Sequence, residues 1–367
     1  SAFVGLIVGA GFASGQEVMQ YFTNFGIWGA AGGLLATALF MLLGYAFAQL
    51  GTELQSVSHK SVMYHIGGRY IGPIFDVIVT FFLFGVAVVM FAGSGSTFQQ
   101  MFGIDAMIGS VIMAAAVILT LLLETRKIIS VIASVTPYLL GIIFLILIYS
   151  IFTMDISLPE ANALAAQQNS AAPNWVMGAL LYVSYNLAAG AALLIIMAGG
   201  EKDRKVAGMG GVLGGLMLGA LILLIHFGMF LKMDVVDGLD MPTLALANEI
   251  HPVVGILMAI ALLGMIYNTA VGMFYSFTVR FIPAESKAYK PAVVIIGIVG
   301  FIASLVGFTT LIGKVYATMG YLGFAMIIAV VIAWIRRVHR DRNSRGGKAV
   351  TGGDTCGDPG TGSVSQE

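Results

Sequence analysis

The chain has 367 residues, 59% of them hydrophobic and 10% charged, with a mean hydropathy of +0.95. Soluble domains carry about 25% charged residues, so this composition cannot coat a water-facing surface and specifies an integral membrane protein surrounded by lipid. The 18 basic and 18 acidic residues cancel, which excludes the polybasic signature of a nucleic-acid binder and the acidic bias of a disordered chain.

The apolar runs are too long for transmembrane β-strands, which span about 10 residues and alternate in polarity. The spans are therefore helices and the fold class is all-α. Hydropathy places ten of them, at 1–24, 27–50, 73–99, 106–123, 128–152, 174–199, 207–231, 252–280, 291–309 and 311–335. Longer polar connections fall at 51–72, 153–173 and 232–251, and none is large enough to hold a soluble domain. The chain opens at Ser1 inside an apolar run, as expected of a segment lacking its natural start; no basic leader with a cleavage site is present. Beyond Trp334 come Arg336, Arg337, Arg340, Arg342 and Arg345, then a Gly/Ser/Thr-rich stretch to Glu367. Residues 1–337 thus read as one ten-helix domain and 338–367 as a disordered tail. Cys356 in that tail is the single cysteine and has no intramolecular disulfide partner.

Orientation follows from lysine and arginine in the connections. Lys60 and Arg69, Arg126 and Lys127, Lys202, Arg204 and Lys205, and Arg280, Lys287 and Lys290 lie in alternate connections, on the same side as the basic tail. The other side has Lys232, and Lys314 falls within a span. Both termini are therefore expected in the cytoplasm, and the 153–173 loop outside.

Span 1 contains Gly9-Ala10-Gly11-Phe12-Ala13-Ser14-Gly15, three glycines in an apolar helix. Glycine is about 1 kcal/mol worse than alanine in a helix interior, so the segment is expected to unwind. Span 6 is interrupted by Ser184-Tyr185-Asn186-Leu187-Ala188-Ala189-Gly190. Each is the first span of a five-span half, about 1–152 and 174–337. An odd number of spans makes a second half enter the membrane from the opposite side, so the pattern predicts a 5+5 inverted repeat with helices 1 and 6 discontinuous around a midplane site. The alternative is close packing of intact helices on small residues. Gly9, Gly11 and Gly15 do not make a dinucleotide loop, because the last gap is one residue too long and no βαβ unit is available.

The run Gly9 to Glu17, together with Tyr182-Val183-Ser184-Tyr185-Asn186 and the ten spans, resembles the YkvI-like bacterial membrane proteins. These are similar to the amino acid/polyamine/organocation superfamily with the LeuT-type fold. The resemblance covers essentially all of 1–337 and implies a permease of the bacterial plasma membrane without specifying its substrate.

Freed backbone groups in an unwound helix must face protein, substrate or ions. Helix N-termini suit a carboxylate and free carbonyls suit a cation, so a small zwitterion such as an amino acid fits Gly9 to Gly15 together with Ser184, Tyr185, Asn186, Ala189 and Gly190. Phe81, Phe82 and Phe84 offer either an apolar pocket or ordinary packing. The resemblance further implies a sodium position between the span 1 carbonyls of Gly9 and Phe12 and the span 8 residues Asn268 and Thr269; the alternative is a Thr269 bonded to its own helix. Some proton-coupled relatives use a span 5 lysine, and 128–152 has none.

The ionisable groups within spans are Glu17, Asp76 and Lys314, each costing about 2.5–3.5 kcal/mol at mid-bilayer. Asp76 lies near a span end. His226 in span 7 is read as a neutral core residue rather than a titrating one. Glu17 and Lys314 should sit at similar depth, and the LeuT-type resemblance places their helices along the outer vestibule, where a pair would form a gate; two separately solvated charges are the alternative. No zinc spacing, nucleophile elbow or phosphate loop occurs, so neither an enzyme nor a bound cofactor is expected. The sequence reads as a cation-coupled transporter by alternating access, with sodium as the coupling ion ahead of the proton. A ligand-sensing receptor using the same site is the rival reading, and it lacks a signalling domain.

Overall fold

The computed structural model describes residues 9–54, 59–123, 136–154, 156–201 and 203–350. Every regular element among them is helical. Span 1 is the pair α1 (Ala10–Ala13) and α2 (Gln16–Tyr21), followed by a 3-10 turn (Thr23–Phe25). The long helices α3 (Trp28–Leu54), α4 (His59–Phe102), α5 (Ala106–Leu123) and α6 (Thr136–Phe152) follow. After the short α7 (Leu158–Ala165) come α8 (Trp175–Gly199) and α9 (Arg204–Phe230). Two short helices, α10 (Met233–Val236) and α11 (Pro242–Ile250), lead to α12 (Pro252–Phe281) and α13 (Tyr289–Ser304). The chain then runs through α14 (Phe308–Leu311) and a π-helical turn (Ile312–Tyr316) into α15 (Ala317–Val350).

Six of the described helical stretches are long and apolar enough to cross a membrane: Trp28–Thr52, Gly72–Phe102, Ala106–Leu123, Arg204–Phe230, Pro252–Phe281 and Phe308–Ile332. Gly141–Phe152 and Tyr289–Ser304 are shorter apolar helices. Helix starts follow local chemistry. Asp203 accepts the Lys205 N–H at 2.7 Å, and His251 Nδ1 accepts that of Val253 at 3.2 Å with Pro252 in the first turn, each satisfying an orphan donor.

Three expectations are corrected. Span 6 is unbroken: α8 runs through Ser184 to Gly190 as continuous helix. Asn186 Nδ2 donates back to the Tyr182 carbonyl at 3.0 Å and Ser184 Oγ donates sideways to the Gly320 carbonyl at 2.6 Å, so these polar side chains are satisfied without unwinding the backbone. Much of the predicted 51–72 connection is helix, because α3 extends to Leu54 and α4 begins at His59. Helix α15 continues to Val350 through part of the expected disordered tail; the five arginines between 336 and 345 are good helix formers. Cys356 and the rest of the tail lie outside the described residues, as do Arg126, Lys127, Asp155 and Lys202.

The helices form two packed groups. In one, α3 packs along α9 and α8, and α15 packs on α8. In the other, α4 packs on α12 and on α5, and α13 lies against α4, α5 and α12. The α3–α9 contact is backbone to backbone. A Cβ at Gly215 would lie 2.5 Å from the Met41 nitrogen, and one at Gly211 or Gly219 would collide with the Gly44 carbonyl or the Thr37 hydroxyl. Small residues at this spacing let membrane helices approach closely. Gly215→Leu is expected to lose about 1–3 kcal/mol of stability, the usual cost of overpacking, read as a lower melting temperature of the detergent-solubilised protein. An unchanged melting temperature would contradict the close contact.

Span 1 runs between the two groups: α1 touches α4 and α12, whereas α2 touches α8 and α9. Its interruption therefore falls on the boundary between them.

Candidate functional site

The interruption is at Ser14 and Gly15. Gly15 adopts φ 82°, ψ −13°, the left-handed region open to glycine without penalty. Ser14 Oγ donates to the Gly11 carbonyl at 2.7 Å and accepts the Gln16 N–H at 3.2 Å, bracing the turn from within. The carbonyls released by the break are taken by the segment leading into α11: Thr243 Oγ1 donates to the Ala13 carbonyl at 2.5 Å and the Thr243 N–H to the Ser14 carbonyl at 3.1 Å.

That segment is itself tied down. Gln100 of α4 bonds both backbone groups of Met241, at 2.8 and 3.0 Å. Asp240 accepts Ser96 Oγ from α4 at 2.6 Å and the hydroxyl of Thr309 from α14. Thr309 in turn accepts Gln16 Nε2 at 3.3 Å on its hydroxyl and Gln20 Nε2 at 2.9 Å on its carbonyl. Asp240 can only accept, which fixes the direction of every bond: Gln16 donates to Thr309, and Thr309 to Asp240. Lys232 and Glu249 add a 3.0 Å ion pair at the same end of the molecule.

In the first turn of α2, Glu17 is 5% exposed and accepts the hydroxyl of Tyr185 from α8. Its other carboxyl oxygen lies against Gly11, where a Cβ would collide with it. Tyr21, Tyr182 and Tyr316 complete an aromatic cluster. Ring centroids are 5.6 Å apart for Tyr21 and Tyr182, 5.7 Å for Tyr21 and Tyr185, 5.4 Å for Tyr182 and Tyr185, and 4.9 Å for Tyr185 and Tyr316.

The residues singled out in the sequence divide accordingly. The structure links Gly11 to Tyr185 through Glu17, which lies against Gly11 with one carboxyl oxygen and accepts the Tyr185 hydroxyl with the other, while Phe12 and Ala13 are buried beside the break at Ser14 and Gly15. Ser184 faces Gly320 of α15 instead, Asn186 bonds its own helix, and Ala189 is exposed, so they do not form a second wall with Tyr185. Gly190 is buried in continuous helix. The carbonyls of Gly9 and Phe12 each accept one chain N–H, from Ala13 and Gly15 at 3.0 Å. Asn268 and Thr269 are half-buried on α12, which touches α1. Asn268 Oδ1 is buried without a hydrogen-bond partner.

The Glu17–Lys314 ion pair is not formed. Lys314 is exposed on the π-helical turn, whereas Glu17 is enclosed by the tyrosines. Similar depth fixes the height of a side chain but not the face of the helix it leaves. Asp76 pairs with Arg280 of α12 at 2.7 Å. His226 Nδ1 lies 3.1 Å from Thr23 Oγ1 in the core. Phe81 is exposed, Phe82 is buried and Phe84 packs on Phe274 and Phe277, so the three do not line one pocket.

Sequence reasoning missed Thr243, Asp240 and Thr309, which lie far along the chain from span 1 and have no motif. Tyr21 and Tyr182 had a signal: Tyr21 stands four residues after Glu17 and Tyr182 three before Tyr185, on shared helix faces.

No family model matches the chain. It is 27% identical over 338 residues to the membrane protein YkvI of Bacillus subtilis (strain 168), covering 90% of this chain and 93% of YkvI. It is 24% identical over 338 residues to YyaD of the same organism, covering 90% and 94%. Among solved structures, the inward-facing conformation of Mhp1 superposes with a TM-score of 0.62 at 14% identity, over 87% of this chain and 72% of that one. A mutant of the Eremococcus coleocola manganese transporter gives 0.57 at 16% identity, over 87% and 75%. At such identities the structural likeness shows the fold, which is the LeuT type.

Proposed function

We propose that this YkvI-like membrane protein of LeuT-type fold is a secondary transporter that carries a small amino acid or related zwitterion by alternating access, driven by a cation gradient. The observation that carries the reading is the interruption of span 1 at Ser14–Gly15, on the boundary between two packed helix groups. A hinge there changes access to a midplane site when the groups rock. The 5+5 count is supported by the way the groups pair: counting the interrupted α1–α2 as the first span, the second packs on the seventh, the third on the eighth and the fourth on the ninth. An inverted repeat relates those pairs. Basic residues on one side support a bacterial plasma-membrane protein with both termini in the cytoplasm.

Polar groups around the break are hydroxyls, amides and the carboxyls of Glu17 and Asp240. Among the described residues no group of three or more His, Cys, Asp or Glu converges as a metal site. This set suits an organic zwitterion better than a transition-metal ion. The coupling position we propose for sodium is Asn268 and Thr269 with the Gly9 and Phe12 carbonyls, and the unpartnered Asn268 Oδ1 supports it.

The test is uptake of radiolabelled amino acids into proteoliposomes under imposed sodium or proton gradients. Concentrative uptake of at least one is expected, and its absence for all of them under either gradient would overturn the reading. Thr269→Ala should raise the sodium concentration for half-maximal uptake by about tenfold, equivalent to about 1.4 kcal/mol for one lost oxygen ligand. Sodium-independent uptake by the parent would refute the sodium position while leaving transport intact.

A further inference from the structure

Glu17 is a buried carboxyl for which the substrate site has no assigned use. The elements packed against α2 include α1, the 3-10 turn, α8, α9, the π-helical turn and, through Thr309, α14, which carries no ionisable group. Their ionisable groups are Tyr182 and Tyr185 on α8, Arg204 and Lys205 at the start of α9 and His226 near its end, and Lys314 and Tyr316 on the π-helical turn, with Tyr21 on α2 itself. Tyr321 of α15 also faces Tyr21. Lys314 is exposed, and His226 is engaged with Thr23 and stacked on Phe230 at 5.7 Å. Lys232 pairs with Glu249 and Arg280 with Asp76, and among the described residues no basic side chain is paired with Glu17, whose hydrogen bond is from Tyr185.

An ionised carboxylate enclosed in this way is costly unless a positive species compensates it. Volume decides which species. The tyrosine rings lie 4.9–5.7 Å from one another, so they pack as a solid cluster rather than as a cage around an ammonium group, and Gly11 presses on the open carboxyl oxygen. A proton needs no volume. The chemistry for both states is in place. The ionised carboxylate accepts the Tyr185 hydroxyl, and the same hydroxyl oxygen can accept the O–H of the neutral acid once the two protons turn. Tyr182 also faces the carboxyl.

We infer that Glu17 is a proton-carrying site of the transport cycle, separate from the Asn268 position, and that its protonation permits the tyrosine cluster to close over the span 1 break. The inference rests on the transporter reading. A proton from water on one side joins the Glu17 carboxylate, and the closed state buries the neutral acid. Opening to the other side hydrates the group, and the proton leaves to that water. No other bond forms or breaks.

The experiment has two readouts on the full chain in proteoliposomes. The first is infrared difference spectroscopy across a pH titration, which needs no substrate. The parent should show a carboxylic-acid carbonyl band, shifted in heavy water, that is missing in Glu17→Gln and displaced in Tyr185→Phe. A band fully retained in a folded Glu17→Gln protein overturns the proton site, and so does the absence of a titrating band in the parent. The second is uptake of whichever labelled amino acid the screen identifies. A one-unit pH gradient at one proton per substrate supports about tenfold accumulation. Glu17→Gln should lose that accumulation while still exchanging labelled for unlabelled amino acid. Accumulation in the parent that ignores the pH gradient overturns the coupling, and loss of exchange together with accumulation assigns Glu17 to substrate binding instead. If no amino acid is carried, the transporter reading fails and the infrared titration still decides the proton site.

Discussion

Asp240→Ala is expected to open the protein at the end formed by the 232–251 segment. Asp240 is the shared acceptor for Ser96 and Thr309, and Thr309 holds Gln16 and Gln20 of α2. Deleting the carboxylate removes two charge-assisted bonds, each worth about 1.5–3 kcal/mol. Ser96 is buried and is left without its acceptor. Even a net loss of about 2.8 kcal/mol after relaxation shifts a two-state equilibrium about a hundredfold. A single cysteine at position 14, in a Cys356→Ser background, reports the change. In the parent this position is 1% exposed and should resist a membrane-impermeant thiol reagent; with Asp240→Ala it should react about ten to a hundred times faster. Equal labelling rates would show that the Asp240 network does not hold this end closed.

Gly15→Ala should be the most damaging single methyl in span 1. The backbone is left-handed there, which costs a non-glycine residue about 1–2 kcal/mol. The added Cβ would also lie 2.8 Å from Thr243 Cγ2 and 2.9 Å from Met229 Sδ. The methionine sulfur is the flexible end of a long side chain and can move. The threonine is anchored by its bonds to the Ala13 and Ser14 carbonyls and cannot move without undoing the break. The combined loss is about 2–4 kcal/mol, measured as melting temperature and uptake. Thr243→Ser removes the obstructing methyl while keeping the hydroxyl, so the double variant should regain part of the loss. Strict additivity in that cycle would mean that the steric account is wrong and that backbone strain alone matters.

What the sequence made legible follows from what each pattern encodes. Three glycines within seven residues of span 1 weaken the helix wherever they occur, so the interruption was readable; its position at Ser14–Gly15 depends on Thr243, which arrives from more than two hundred residues away. The corresponding expectation for span 6 failed because hydroxyl and amide side chains in a membrane helix need partners, not a broken backbone. Asn186 found one a turn back and Ser184 found one across the α8–α15 contact. Hydropathy gave the depth of Glu17 and Lys314 but no rotation about the helix axis, and it is rotation that separates an enclosed carboxyl from an exposed amine. The tyrosines around Glu17 were within reach of a helical-spacing count, since charge had drawn attention to their neighbour.

The seam between α3 and α9 also constrains how this chain can diverge. Where two helices approach this closely, a position can grow only if the side chain facing it shrinks. The Thr37 side chain occupies the space a Cβ at 219 would need, whereas at 211 the obstacle is the Gly44 carbonyl, which no substitution can shrink. Substitutions along the seam should therefore be inherited in matched pairs, a larger residue at 219 appearing with glycine or alanine at 37. A lineage carrying both changes keeps the interhelical distance, so the pair of helices is passed on as one unit while the lipid-facing residues beside it drift freely.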